Sequence, residues 1–394
     1  MKGLQSTNCA SRARWHGRGS LPGTYDMPSH SPANPVFKLP LHSLRIGYLA
    51  LTDAAPLLVA REQGHFNRHG LAVELRREVG WATMREKLIY GELDAVQAPA
   101  PMLWSLELGL GCTACEVLTA FVFNLQGNAL TLSQPLWTAG VRDGTTLRGH
   151  LRSGRRREPL TLGVVFPFSS DHLHLREWLR AAGIDPDRDV RIVMVPPAQM
   201  FRHLAGGTID GYYAGEPWNS MAVQAGTGWC PVTSAVQHPG HVEKVLIVTR
   251  RYAEARSSEH AAIVTALAEA CAWCDEPPNR ESLAGLLGRP EYLDVPEAAL
   301  TPGLLDHFNC GQGRVDDASF IIFHRGGANV PAVAKALVLQ RALGVAGLIP
   351  AAAVNDAGLP GRLFREDLYR FSLHASRATH ALPSSDARGH GKAG

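Results

Sequence analysis

At 394 residues the chain is long enough for two domains, or two lobes, around a large core. Its 45% hydrophobic and 19% charged residues are those of a globular protein, and a formal net charge of +3 is too small to argue for direct nucleic-acid binding. No apolar run reaches the roughly 20 residues that a membrane-spanning helix needs.

Residues 1–42 are rich in Ser, Pro, Gly, Arg and His and read as a disordered tail. Basic residues occur there, but no apolar stretch of about 7–15 residues follows them as a secretory signal requires. The expectation is a cytoplasmic protein, or a periplasmic one if the start site is misassigned. Seven cysteines, an odd number in a long chain, argue against a disulfide framework. Two CxxC pairs, Cys112/Cys115 and Cys271/Cys274, could supply four thiolates to zinc. The second pair lies in a helical pattern with packing neighbours Ala272 and Trp273, so buried free thiols are the preferred reading.

In chain order, residues 44–49 read as a strand, followed by Thr52 and Asp53 as helix N-caps and by Pro56 in the first helical turn. The spacing predicts a helix over 57–63, a strand over 71–76, a helix over 84–90 and a strand over 93–97, with Gly64, Gly70 and Gly91 as breaks. A helix over 103–110, a strand over 116–123, a turn at 124–128 and a strand over 129–132 come next. The arginines of 147–159 suggest a solvated loop rather than a phosphate site. The alternation then resumes, with strands over 160–166, 190–195 and 209–213 and helices over 173–182, 198–205 and up to 225. A strand over 244–249 returns the chain to the first lobe. Helices follow over 258–274, 280–288 and 329–343, with a short one within 290–302 and a last ordered piece at 364–369. Residues 376–394 read as a second disordered tail. Strands alternating with helices predict an α/β fold of two lobes: 43–135 with 245–375, and 136–244.

Motifs for catalysis are weak. There is no GxSxG, GxxxxGK[ST], HExxH or GxGxxG after a strand. His172 and His174 fall at a helix start, which points them apart. Five places suit a small anion better: Trp81 and Thr83 at a helix N-terminus, Gln126, Gly127 and Asn128 in a turn, Ser169 to His172 at another helix N-terminus, Glu216, Trp218 and Asn219 after a strand end, and Lys244 as a cation. Each alone is more often an ordinary core or turn residue. Their recurrence at strand-to-helix junctions is what points to a ligand cleft.

At these residues the chain resembles the NrtA/NasS/CmpA group, nitrate- and bicarbonate-binding proteins related to ABC-importer solute receptors. The matching pieces are LRIGYLALTDAAPLLVAREQGHF, GWATMREKLIYGELDAVQAPAPM, QGNALTLS, GIDPDRDVRIVMVPPAQM, GEPWN, HVEKVL and WCDEPPNRESLAGLLGRPEYL. The resemblance implies a type II periplasmic-binding-protein-like fold, two α/β lobes with a two-strand hinge and a ligand in the cleft between them. It assigns ligand contacts to Trp81, Thr83, Gln126, Gly127, Glu216 and Trp218, and the cationic contact to Lys244. A lysine there implies nitrate or nitrite, with no metal and no cofactor. One departure stands out: Asp171 takes the place where the family has a histidine, and His172 follows it. Either His172 takes over the contact or the ligand differs. The cytoplasmic expectation implies a NasS-type sensor holding a NasT-like ANTAR antiterminator. An importer subunit working with an ABC permease, and an enzyme like the pyrimidine-precursor synthases of thiamine biosynthesis, are the alternatives.

Overall fold

A computed structural model describes residues 43–153, 158–316 and 319–380. Its strands, in chain order, are β1 (Leu44–Tyr48), β2 (Val73–Arg77), β3 (Ala95–Pro99), β4 (Val117–Leu118), β5 (Val122–Gln126), β6 (Asn128–Ser133), β7 (Leu160–Val164), β8 (Val190–Met194), β9 (Gly211–Gly215), β10 (Gly228–Thr233), β11 (Val242–Thr249), β12 (Phe308–Gly311), β13 (Arg314–Asp316) and β14 (Ile321–Ile322). Among the described residues they form a seven-stranded sheet of order β14-β5-β11-β3-β1-β2, with β4 also on β11, and a five-stranded sheet of order β10-β6-β9-β7-β8. A small β12–β13 hairpin stands apart. Each large sheet has a parallel half, β2-β1-β3 and β8-β7-β9, whose strands are joined through helices. The architecture is α/β with two large sheets, as the alternation of strands and helices predicts.

The central strands are apolar on both faces because helices cover both sides. In β3 and β5 every residue is buried. The long helix Ser257–Asp275 buries Ile263, Leu267, Ala270, Cys271 and Cys274 and packs on the helices Ala55–Glu62 and Glu366–His380. Cys271 donates to the Phe123 carbonyl at 3.4 Å, which ties this helix to β5. No helix among the described residues is long and apolar enough to cross a membrane.

The chain passes from the first sheet to the second at Gln126–Gly127, between β5 and β6. Both residues have positive φ, 63° and 103°. Glycine adopts the second without penalty, whereas Gln126 is strained unless its side chain is held. It is held at both ends: its Oε1 accepts from Gly240 N at 2.6 Å, and its Nε2 donates to the Ser319 carbonyl.

Several local expectations are corrected. Asp53 is not an N-cap. Thr52–Ala54 is a 3-10 turn, the helix Ala55–Glu62 has no side-chain cap, and the Asp53 carboxylate turns inward to Lys244. The strand expected over 116–123 breaks in two because the Thr119 hydroxyl bonds both the N–H and the carbonyl of Phe121. Residues expected as loop after 147 belong to the helix Gly144–Arg152, capped by Asp143, which accepts from Thr146 N at 2.8 Å. Arg155, Arg156 and Arg157 lie outside the described residues. Strand β6, read with the first lobe, pairs with β9 and β10 in the second sheet. The helix Glu366–His380 runs into the segment expected as the C-terminal tail. Both expected tails otherwise lie outside the described residues, as does Cys9.

Candidate functional site

The two sheets meet where β1, β9 and β11 end or begin, and the polar side chains collect there. Thr52 N donates to the Glu216 carbonyl at 2.8 Å, joining the end of β1 to the segment after β9. On β11, Lys244 pairs with Pro99 of β3 in regular register. On its other edge the register with β5 shifts on both sides of Lys244. Neighbouring side chains on a regular strand point to opposite faces, but an irregularity of this kind re-aims one of them. Glu243 and Lys244 therefore reach each other, with Lys244 Nζ 2.5 Å from Glu243 Oε1.

Lys244 Nζ also lies 2.8 Å from Asp53 Oδ2. Gln97 Nε2 donates to Asp53 Oδ1 at 2.7 Å, and the Ser170 hydroxyl donates to Glu243 Oε2 at 2.5 Å. Asp171, in the first turn of the helix Ser170–Ala181, accepts from Asn128 Nδ2 at 2.7 Å. Gly215 on β9 closes the group. A Cβ placed there would stand 3.3 Å from Asn128 Oδ1 and 3.6 Å from Asp53 Oδ2. Lys244 and Asp171 are each 1% exposed, and Asp53 and Glu243 are 3% and 0%.

One ammonium thus stands among three buried carboxyl groups. Burial opposes the lysine charge, but Asp53, Glu243 and Asp171 outweigh it and hold the Lys244 pKa above the ordinary lysine value. Burial raises Glu243, yet Lys244, His241 and the Ser170 hydroxyl reverse this and leave it below the usual carboxylate value. Glu243 is therefore the ionised partner of Lys244. Burial and the Glu243 charge push Asp171 well above its ordinary value, against the pull of Lys244 and Asn128, so it favours its proton. Asp53 is raised by burial despite Lys244 and Gln97.

Unpartnered buried atoms border this group. The Trp81 indole N–H has no hydrogen-bond partner, and Lys244 Nζ lies 5.7 Å from its ring centre. Asn128 Oδ1 and Gln97 Oε1 also lack partners, each amide having turned its NH₂ toward a carboxylate. Polar atoms buried without partners cost about 1–3 kcal/mol each, which a bound molecule would offset. Trp81 also lines a cavity of about 740 Å³ together with Thr83, Arg85, Phe166 and Phe168.

Of the nine residues selected from the sequence, three gather here: Lys244, Asp171 and Trp81. Thr83 is exposed on the cavity wall beside Trp81. Gln126 and Gly127 form the crossing between sheets, with both ends of the Gln126 amide engaged in backbone bonds. His172 turns Nδ1 to the Pro167 carbonyl at 2.8 Å rather than toward Lys244. Trp218 lines a separate cavity of about 630 Å³ with Leu49, Arg77 and Pro196. Asn128, read with the 126–128 turn, also joins the cluster, whereas Asp53, Gln97 and Glu243 are members that sequence reasoning missed. Glu243 stands next to Lys244 in the sequence, but only the irregular register reveals that the two face each other.

Glu216 lies off the cluster. It packs against Gly303, its Oε1 accepts from Ser220 N at 3.3 Å, and its Oε2 has no partner. Burial lifts its pKa from 4.5 to about 7, only partly opposed by bonds from Ser220 and Asn219. The folded state thus favours the neutral acid. Its contribution is fully present below the unfolded value and is lost as pH rises through about 7, by at most about 3 kcal/mol. Melting curves from pH 5 to 8 should show a falling Tm that Glu216→Gln flattens. Parallel profiles for the two proteins would assign the dependence to another group.

Known proteins place this arrangement in a family. The sequence profile of the NMT1-like family matches residues 38–288, more than half of the chain. The chain belongs to the NMT1-like family. Within it, 271 residues are 38% identical to the nitrate import ATP-binding protein NrtC of Synechocystis sp. PCC 6803, covering 68% of this chain and 40% of that one. Over 313 residues it is 37% identical to the bicarbonate transport ATP-binding protein CmpC of Synechococcus elongatus, covering 78% and 46%. The chain therefore spans less than half the length of these two relatives. The crystal structure of the periplasmic nitrate-binding protein NrtA from Synechocystis PCC 6803 superposes with a TM-score of 0.80, at 24% identity, over 89% of this chain and 93% of that one. That likeness establishes the NMT1-like chain's fold as the one used by solute-binding proteins.

Proposed function

We propose that this NMT1-like protein binds nitrate or nitrite, without turning it over, in the cleft between its two sheets. The reading rests on Lys244, a buried cation at the junction of the sheets beside the unpartnered indole N–H of Trp81. A charged donor and a neutral one, both shielded from water, are what a small planar oxyanion needs. The names of the matched relatives, a nitrate import and a bicarbonate transport protein, support binding rather than turnover.

The proposal extends to signalling. The match to NrtC covers 40% of a protein named for nitrate import and ATP binding, so a segment similar to this chain occurs within a longer polypeptide. We read the present chain as a cytoplasmic sensor, one that holds an ANTAR-type antiterminator until the anion binds. A ligand shifts a two-state protein only by its differential affinity for the two states, and partner and ligand must then oppose each other equally.

Size-exclusion chromatography of the protein with such an antiterminator, with and without millimolar nitrate, tests this. A complex that nitrate dissolves is expected. No complex in either condition, with export of the full-length gene product to the periplasm, would leave the importer subunit. The fold shared with periplasmic NrtA supports that second reading.

A further inference from the structure

The charges around Lys244 raise a difficulty that the ligand must solve. Asp53, Asp171 and Glu243 surround one ammonium, all of them buried. If all three were ionised, the group would carry two excess negative charges before any anion arrived. An incoming anion would add another in a site that water cannot screen. The cluster nonetheless leaves polar atoms for a ligand to meet. The Trp81 indole N–H and Asn128 Oδ1, on residues 1% and 0% exposed, lack partners at its edge. Asn128 Oδ1 and Asp53 Oδ2 face the same space above Gly215.

We propose that the cleft takes its anion together with a proton carried by Asp171, so that the bound species is an anion–proton pair. This rests on the oxyanion reading above and specifies how the site meets it. Asp171 is the suited carrier for three reasons. Glu243 is committed to Lys244 and Ser170, and Asp53 to Lys244 and Gln97. Asp171 has no cation in direct contact; the bond it is given is from Asn128 to one oxygen, Oδ1. Its surroundings already favour the acid form: burial, Glu243 and Asp53 oppose its charge, against Lys244 and the hydrogen bond from Asn128. In that form the carboxyl offers an O–H in place of a repelling charge. The other titratable groups near it do not substitute. Burial drives His241 down to about 4, keeping it neutral near pH 7. Tyr213 on β9 is raised well above its ordinary value by burial and by Asp171 and Glu243. His174 is lowered well below its own by burial and by His241 and His238.

The consequence is linkage between pH and affinity. Below the elevated pKa of Asp171 the proton is in place and the anion binds. As pH rises through it, each anion must bring a proton, and affinity falls by up to about tenfold per pH unit for one proton. Nitrate does not titrate in this range, so the dependence belongs to the protein.

The experiment is calorimetric titration of the full chain with sodium nitrate from pH 5.5 to 9, in two buffers of different ionisation enthalpy. Expected are net proton uptake on binding and a Kd that rises with pH. In Asp171→Asn, a neutral residue of the same shape that still accepts from Asn128, the pH dependence and the proton uptake should both vanish. Nitrate binding with no proton uptake and a flat pH profile would overturn the proposal and leave the oxyanion reading intact. An unchanged slope in a folded Asp171→Asn variant would do the same for Asp171. If that variant does not fold, the wild-type buffer comparison decides alone. Absence of nitrate binding at every pH would overturn the oxyanion reading, and this proposal with it.

Discussion

Lys244→Ala is expected to reduce both stability and binding, and by the largest margin of any single change in the cleft. The side chain is the cation in contact with Glu243 and Asp53 in a buried group. Breaking a buried ion pair by removing one partner costs about 3–5 kcal/mol, because the remaining charge is left without compensation. For a protein of this size that is a fall in Tm of about 4–6 °C. The fall should be smaller at acid pH, since protonation of the carboxyl groups removes the unpaired charge. Nitrate should lose a charge-assisted hydrogen bond, about 1.5–3 kcal/mol or about 10- to 150-fold in affinity. Thermal melts and calorimetry on the same preparation measure both. A variant that melts early but binds nitrate unchanged would place the cation for the anion elsewhere.

Trp81 carries the second large effect, and two substitutions separate its roles. The ring is 1% exposed and anchors the start of the helix Trp81–Ile89. Trp81→Ala should cost about 3–5 kcal/mol, as truncation of a buried aromatic does. Trp81→Phe keeps most of the packing but removes an N–H that has no partner in the described structure. Deleting a buried unpaired donor relieves a desolvation cost, so this variant should be at least as stable as the parent. It should bind nitrate about 2- to 10-fold more weakly, because the lost donor served the ligand alone. Opposite signs in melting and in titration are the signature. A Trp81→Phe variant with undiminished affinity would make Trp81 a packing residue only.

The fold was legible where hydrophobic periodicity is strong, and less so where contacts between distant segments decide the structure. Strands β1, β3, β7 and β11 and the helix Ser257–Asp275 follow from runs of Leu, Ile, Val and Ala. Strand β10, GWCPVT, did not, because its Gly and Pro interrupt any strand pattern; it lies at a sheet edge, where Pro is tolerated. The β12–β13 hairpin and two-residue β14 carry too little alternation to be seen.

The site divides in the same way. Lys244, Trp81 and Asp171 could be selected because each lies at a strand or helix terminus. Asp53 was misread because a carboxylate before a helix ordinarily caps it, and here the ion pair with Lys244 wins. Gln97 lies in a buried strand and has no local signal; its role comes from Asp53, 44 residues away. Gln126 drew attention as a turn residue, and its amide proves to be engaged in fixing the turn itself.

The central claim, that a small oxyanion sits against Lys244, is tested most directly by diffraction from crystals grown with saturating nitrate at acid pH. The account predicts density for a planar anion with oxygens about 3 Å from Lys244 Nζ and from the indole nitrogen of Trp81. Nitrate bound at another place, with the contacts of Lys244 to Glu243 and Asp53 unchanged, would contradict it.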